Sequence, residues 1–441
     1  MLKTDVLIVG GGLAGLSAAR TLEGKAGYVL AEKENAIGGL AASVRRNGFT
    51  FDHSGHLLHL RWKRTRDLIL GLLKGNSLRI ERDARIHLAG SDIPYPFQAN
   101  LHGLPPALRS ECVRGFLDAC LKAGKPAGRA PDHVSFRDWS LRTFGAGISR
   151  HFMFPYNRKL WSFPLDRLTA DWCAPFVPMP SPAEILEGAY RPSDAAMGYN
   201  PVFYYPRRGG IQALSDAMGA GLRSVRTGCP LEALDIEKKT ACVRNLGPVS
   251  YKRLINTSPL SSFIGLVGPG QAALKKLASG LRHNRVHVLN LGVEGKPSPA
   301  HWTYFPEKEF LFYRAGTATN FCRNLAPAGC ASLYIEISTA GGNIDRAAAE
   351  RRILRGLAAA GVIGRGARVV EKLWLSIPCA YVIYDAERRK VLPELLSALA
   401  KRGISSIGRY GAWKYSFMEE SVKEGMEAAE KALADLGRQV R

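Results

Sequence analysis

Long apolar runs are absent from this chain. The longest, such as Leu68 to Leu73, fall far short of the ~18 residues that a membrane-spanning helix needs. The opening MLKTDVLIVGGG enters a strand directly, without the layout of a signal peptide, so a cytoplasmic location is expected. Paired cysteines are missing too: Cys112, Cys120, Cys173, Cys229, Cys242, Cys322, Cys330 and Cys379 are scattered, with no C-x-x-C and no histidine at metal spacing. That argues against a disulfide framework or a zinc site and for reduced, mostly buried thiols. Acidic residues are scarce, 38 against 61 Lys and Arg, which leaves a net charge of +23. The resulting positive potential favours anionic partners such as nucleotide phosphates. No nucleic-acid-binding motif accompanies the densest basic run, Arg61 to Arg66, so nucleic acid is not expected as a partner. A solvated basic face is the first reading of that run, and adsorption to an anionic membrane surface the second.

What is present is ample apolar material. With 441 residues, 46% hydrophobic and 22% charged, the chain can bury one large core or two to three interlocked ones. Residues 4 to 32 read as strand, Gly-rich turn, helix and second strand, which predicts an α/β, Rossmann-like start. Residues 60 to 200 are helix-rich with Pro and aromatic punctuation, the pattern of a cap. Residues 201 to 265 return to strands with one helix over Ile211 to Leu222, and residues 284 to 340 are strand-like. From Ser416 to Leu436, apolar residues recur at helical spacing between charges, so an amphipathic helix closes the chain.

The strongest motif is G-x-G-x-x-G, formed by Gly10, Gly12 and Gly15 with Leu13 and Ala14 between, directly after one strand and before a helix. The first glycine makes the tight turn, the second lets backbone approach a pyrophosphate at the helix N-terminus, and the third packs helix on strand. Glu32, 17 residues after Gly15, ends the second strand, where a carboxylate accepts ribose hydroxyls and repels a 2′-phosphate. The turn alone leaves FAD and NAD both open. Gly38 and Gly39 offer a second close approach of backbone to phosphate, or only a turn.

Beyond these motifs the chain resembles a known group. ENAIGGLAAS followed by FTFDHSGHLLH is similar to the early region of UDP-galactopyranose mutases and their relatives, the protoporphyrinogen oxidases and flavin amine oxidases. SSIGRYGAWKYSFMEESVKEG resembles the last FAD contact of that superfamily. The resemblance implies FAD as cofactor, held by Gly10, Gly12, Leu13, Ala14, Gly15, Glu32, Lys33, Gly38, Gly39 and Leu40. It also implies Gly408 and Arg409 at the pyrophosphate and Met418 at the start of a helix facing the flavin. The implied fold is a GR2-type Rossmann-like FAD domain with an inserted helical cap and an antiparallel-sheet substrate domain. Its divisions are 1–60 with 201–265 and 395–441 for FAD, 61–200 for the cap and 266–394 for the sheet.

The same resemblance nominates catalytic residues. His56 and His59 belong to a loop that lies against the flavin in the mutases, although two interior histidines would read alike and, lacking a third ligand, give no metal site. FPYNRKLWSF implies substrate contacts from Tyr156, Asn157, Arg158 and Trp161, although core aromatics would look the same. Arg314 matches an arginine reaching the substrate diphosphate, and Tyr381 and Tyr415 match tyrosines facing that pocket. Two departures stand out. No arginine occupies TADWCAPFVP, where the mutases carry a second diphosphate ligand, which leaves Arg207 or Arg208 as substitutes, and Phe417 stands about where an aspartate is expected. Two activities therefore remain. One is a redox-neutral isomerase on an anionic nucleotide sugar, serving polysaccharide biosynthesis; the other is an oxidase or desaturase removing hydride. A non-enzymatic flavin scaffold is the third reading.

Overall fold

The computed structural model describes residues 1–123, 134–192 and 201–438, so parts of the expected cap lie outside it. The strand Leu2–Val9 is central to a seven-stranded sheet. It runs parallel to Tyr28–Ala31 on one side and Gly247–Asn256 on the other, as a βαβ crossover through the helix Leu13–Leu22 requires. Val6, Leu7 and Ile8 are completely buried, which explains the unbroken apolar run of the strand. Ile404–Ser406 adds in parallel to Gly247–Asn256 and delivers the chain to its last turn. The closing helix Met418–Arg438 lies along Leu13–Leu22, where a Cβ on Gly425 would fall 2.2 Å from the Ala14 carbonyl oxygen.

A second seven-stranded sheet is built on the long antiparallel strands Arg285–Glu294, Cys330–Thr339 and Val369–Ile377. Arg314–Thr317 and Trp302–Tyr304 extend it, and Ala84–Leu88 and Ser91–Pro94 complete it. These last two strands correct the expectation of a helix-rich stretch beginning at residue 60. ARIHL and SDIP form a hairpin whose connecting Ala89 and Gly90 both have positive φ, 52° and 75°, the geometry that matches strand twist. A further strand, Leu78–Glu81, pairs with Val202–Tyr205. Among the described residues of that stretch the main helices are Pro106–Ala123, Phe136–Ile148 and Phe154–Trp161.

Other boundaries moved. The helix expected over Ile211 to Leu222 spans Gln212–Gly219, and the closing helix begins at Met418, as the resemblance implied, two residues after the apolar spacing starts. Ala386–Lys401 is one helix across the expected division at 394/395, started by the Asp385 carboxylate, which accepts from the Arg388 N–H at 2.8 Å. No helix among the described residues is long and apolar enough to cross a membrane.

Candidate functional site

Three glycine segments meet at the N-terminus of the helix Leu13–Leu22. Gly10 has φ 102°, and a Cβ on Gly15 would lie 1.9 Å from the Gly10 carbonyl oxygen, so neither position tolerates a side chain. Gly38 bridges to Gly12 and donates its N–H to the Gly11 carbonyl at 2.8 Å, and a Cβ on Gly39 would lie 3.4 Å from the Gly12 Cα. Gly408, with φ 76°, abuts the Ala14 side chain from the far end of the chain. The helix itself carries no side-chain cap, since Gly12 is its N-cap. Uncapped amides with only glycine around them form a cradle for a phosphate. The Glu32 carboxylate accepts from the N–H groups of Gly11 (2.5 Å) and Glu34 (2.8 Å), which leaves about two of its acceptor positions for hydroxyls.

Not every nominated residue joins this cradle. Lys33 points outward, 72% exposed and paired with Glu34. Leu40 packs against the cluster that includes Val286, Val288 and Ile377 of the second sheet. The Gly408 N–H is taken by Glu424 at 2.7 Å. Arg409 bonds the carbonyls of Ser416 (2.8 Å) and Ala380 (3.0 Å) and lies over the rings of Tyr415 and Tyr381, 4.9 and 5.2 Å from their centroids. A guanidinium enclosed without a carboxylate is held there by carbonyl dipoles and π faces. Met418 opens the closing helix, behind Phe417, which stacks on Trp62 at 5.7 Å. Glu419 accepts from the main chain of Arg61 and Trp62 and from Thr65, which caps the helix Lys63–Leu73 from a distant segment.

Next to Arg409 is a cluster of tyrosines. Tyr381 and Tyr415 stack at 5.6 Å, with the edge of Trp161 against both and Phe176 4.3 Å from Tyr415. Tyr156 approaches Tyr304 at 5.1 Å and Tyr313 at 6.3 Å, and Tyr304 meets Tyr95. Arg314 borders the cluster and is bidentate to Glu336, with Nε and Nη2 each 2.7 Å from a carboxylate oxygen. Ser54 donates to the same carboxylate. Burial, the largest single influence, would raise the Glu336 carboxyl, but Arg314 together with the hydrogen bonds from Ser54 and Tyr313 holds the group below its ordinary value. Arg314 in turn is raised: its desolvation acts against this, but Glu336 with Tyr381 and Tyr334 outweighs it.

The histidines are neutral near pH 7. Burial, with His53 adding to it, lowers His56 to about 4, and burial with Arg61 lowers His59 to about 4. The His56 Nδ1 lies 3.2 Å from the Ser54 carbonyl, so that nitrogen carries the hydrogen. Three nominated residues stand apart from the pocket lining. Asn157 donates to the Met153 carbonyl and accepts from the Trp161 indole at 3.1 Å, so the two back the pocket with their polar groups already satisfied. Arg158 is exposed and lies over Phe154. Arg207 is exposed as well, and its main chain is tied to Asn76, Cys322 and Asn324 rather than to any tyrosine of the cluster.

Sequence reasoning missed Glu336, Ser54, Tyr95, Tyr304 and Phe176. One signal for Glu336 was available: it is the single acid in the apolar strand SLYIEIS, and it is completely buried. Lys159 was also missed; its ammonium donates to the carbonyls of Phe305 (2.6 Å) and Glu307 (3.0 Å), and burial lowers it to about 7. The basic run at 61–66 is partly neutralised, Lys63 and Arg66 by Asp67 and Arg64 by Glu430.

The parallel strands of a mixed sheet, with an uncapped, glycine-lined helix N-terminus and a ribose-side acid, define a dinucleotide-binding protein. Residues 13–433 match the family of flavin containing amine oxidoreductases, and the chain belongs to that family. It is an FAD-dependent enzyme. Among solved structures it is similar to a reduced UDP-galactopyranose mutase, at 28% identity and TM-score 0.90 over 98% of this chain and 94% of that one. A cyclohexylamine oxidase from Brevibacterium oxydans has the same fold at 13% identity and TM-score 0.72, over 98% and 99% of the two chains. So does a double mutant of putrescine oxidase, at 16% identity and TM-score 0.70 over the same shares.

Proposed function

We propose that the protein is a redox-neutral mutase that binds a nucleotide-activated sugar and changes its ring form on reduced flavin. The observation that carries the reading is the meeting of Arg314, Tyr156, Tyr381 and Tyr415 in one cluster, in a chain similar to a UDP-galactopyranose mutase along nearly its whole length. Reduced FAD, when bound, supplies a nucleophilic N5 for the anomeric carbon. The three glycine segments and Glu32 hold its ADP half. Arg409 lies over the tyrosine cluster with no carboxylate partner among the described residues, which suits it to balance an anionic ligand. Arg314 spends Nε and Nη2 on Glu336 and Ser54 and keeps its Nη1 hydrogens for a substrate phosphate. Tyr381 and Tyr415 present the stacked wall against which a sugar or base rests. The glycine-rich parallel sheet serves the cofactor, the antiparallel sheet and the helical segments the substrate.

The test is to reduce the purified protein with dithionite and add UDP-galactose and other nucleotide sugars. Ring-size exchange without oxygen consumption is the expected result. A second reading, hydride removal from an amine, ring or alkene, is favoured by the aromatic lining and by the missing second arginine. Bleaching of the oxidised flavin by such a substrate, with no sugar exchange, would replace the mutase reading with this one.

A further inference from the structure

Ser54 joins the Arg314–Glu336 pair to a small cavity. Thr50 and Asp52 line one wall, and Asn290, Ser332 and Tyr334 another. Asn290 and Tyr334 are direct partners across the antiparallel strands Arg285–Glu294 and Cys330–Thr339, so their side chains leave the same face of the sheet. Both are almost wholly buried, 1% and 4% exposed. Among the described residues, neither the Asn290 Nδ2 nor the Tyr334 hydroxyl has a hydrogen-bond partner. Leaving such groups unsatisfied costs roughly 1–3 kcal/mol each. The Asp52 carboxylate accepts from the Ser43 hydroxyl (2.6 Å), the Tyr205 hydroxyl (2.7 Å) and the Ile211 N–H (3.2 Å). A carboxylate has about four acceptor positions, so one remains.

Tyr334 cannot turn to another partner. A Cβ on Gly55 would fall 2.5 Å from its hydroxyl oxygen, and one on Gly316 would fall 2.1 Å from its Cζ. The ring is thus wedged between two glycines, one adjoining His56 and the other two residues beyond Arg314. Residues that carry two unsatisfied donors and one open acceptor position line a space of about one water, together with the apolar Phe321, Leu325 and Leu333. The cavity has a single carboxylate, and among the described residues no group of three His, Cys, Asp or Glu side chains could hold a metal ion.

We propose that this cavity binds one ordered water, which accepts from Asn290 and Tyr334, donates to Asp52, and so fixes the His56 segment against the strands carrying Arg314 and Glu336. Asn290, Tyr334 and Asp52 are then positioning residues for the reaction. Only the kinetic part of the proposal rests on the mutase reading.

A crystal structure of the FAD-loaded protein should show density for a water about 3 Å from both Asn290 Nδ2 and the Tyr334 oxygen. The same density should be gone in Asn290→Leu, which keeps the shape of the side chain but removes its donor. No density there, where other buried waters are visible, would overturn the site. In the sugar assay, Asn290→Leu and Tyr334→Phe should keep their flavin and lose about tenfold in kcat with KM little changed. Unchanged kcat with the water displaced would overturn the positioning role. Water present in a protein inactive on every nucleotide sugar would uphold the site and count against the mutase reading alone.

Discussion

Arg314 and Glu336 form a two-bonded ion pair between adjacent strands of the second sheet, with the carboxylate completely buried. The arginine expected to clamp a diphosphate therefore has a protein anion on one edge before any ligand arrives. This pairing separates a stability effect from a binding effect, and the first prediction follows from it.

Arg314→Ala should lower stability by about 3–5 kcal/mol, because it leaves Glu336 buried without its cation. Urea unfolding measures this, and a loss under 1 kcal/mol would show that the pair is solvated. Glu336 has a lowered pKa in the folded protein, so its contribution is present above its unfolded value and is lost as pH falls through the folded one. The wild type should accordingly lose this contribution in acid, and Arg314→Ala should show a weaker acid dependence.

Asp52 runs the other way. Burial raises its carboxyl from 3.8 to about 6, against the bonds from Ser43 and Tyr205. The folded protein holds that proton more tightly than the unfolded chain, so stability should fall as pH rises from about 4 to about 6, by on the order of 3 kcal/mol. Chemical denaturation across that window should show the decline in wild type, with the slope reduced in Asp52→Asn. Equal slopes in the two proteins would assign the decline to other groups.

Gly15→Ala should yield a folded but colourless protein or one that does not fold, since the new Cβ would stand 1.9 Å from the Gly10 carbonyl oxygen. Flavin absorbance after dialysis against excess FAD is the readout. Stoichiometric flavin in that variant would contradict the cradle.

Glu419→Ala should cost about 2–3 kcal/mol, because one carboxylate serves the N–H groups of Arg61 and Trp62 and the Thr65 hydroxyl. A thermal melt gives the magnitude. Limited proteolysis near residues 61–66 should speed up as well, since that helix start loses its cap.

The N-terminal half of the cradle was legible in the sequence because its signals are local. Gly10, Gly12 and Gly15 act within one turn, and Glu32 ends the next strand. The hairpin of Ala84–Leu88 and Ser91–Pro94 was missed because its turn uses Ala89 and Gly90 instead of the more familiar Asn-Gly. Asn157 and Trp161 were nominated for a ligand, yet the i, i+4 spacing on the helix Phe154–Trp161 lets them bond each other. Arg207 shows the limit of chemical type as a guide: its charge suits a phosphate, but its side chain is exposed and its main chain is held by a different segment.

By itself the sequence determined the dinucleotide turn, its position before a helix and the acid that follows, because these depend on steric permission within a few tens of residues. Tertiary structure alone decided which anion neutralises Arg314, which rings surround Arg409, and that Gly408 meets Ala14 across nearly 400 residues. The physical reason is range. Backbone sterics are written residue by residue, whereas the partner of a buried charge is whichever group the packing of two sheets brings within about 3 Å.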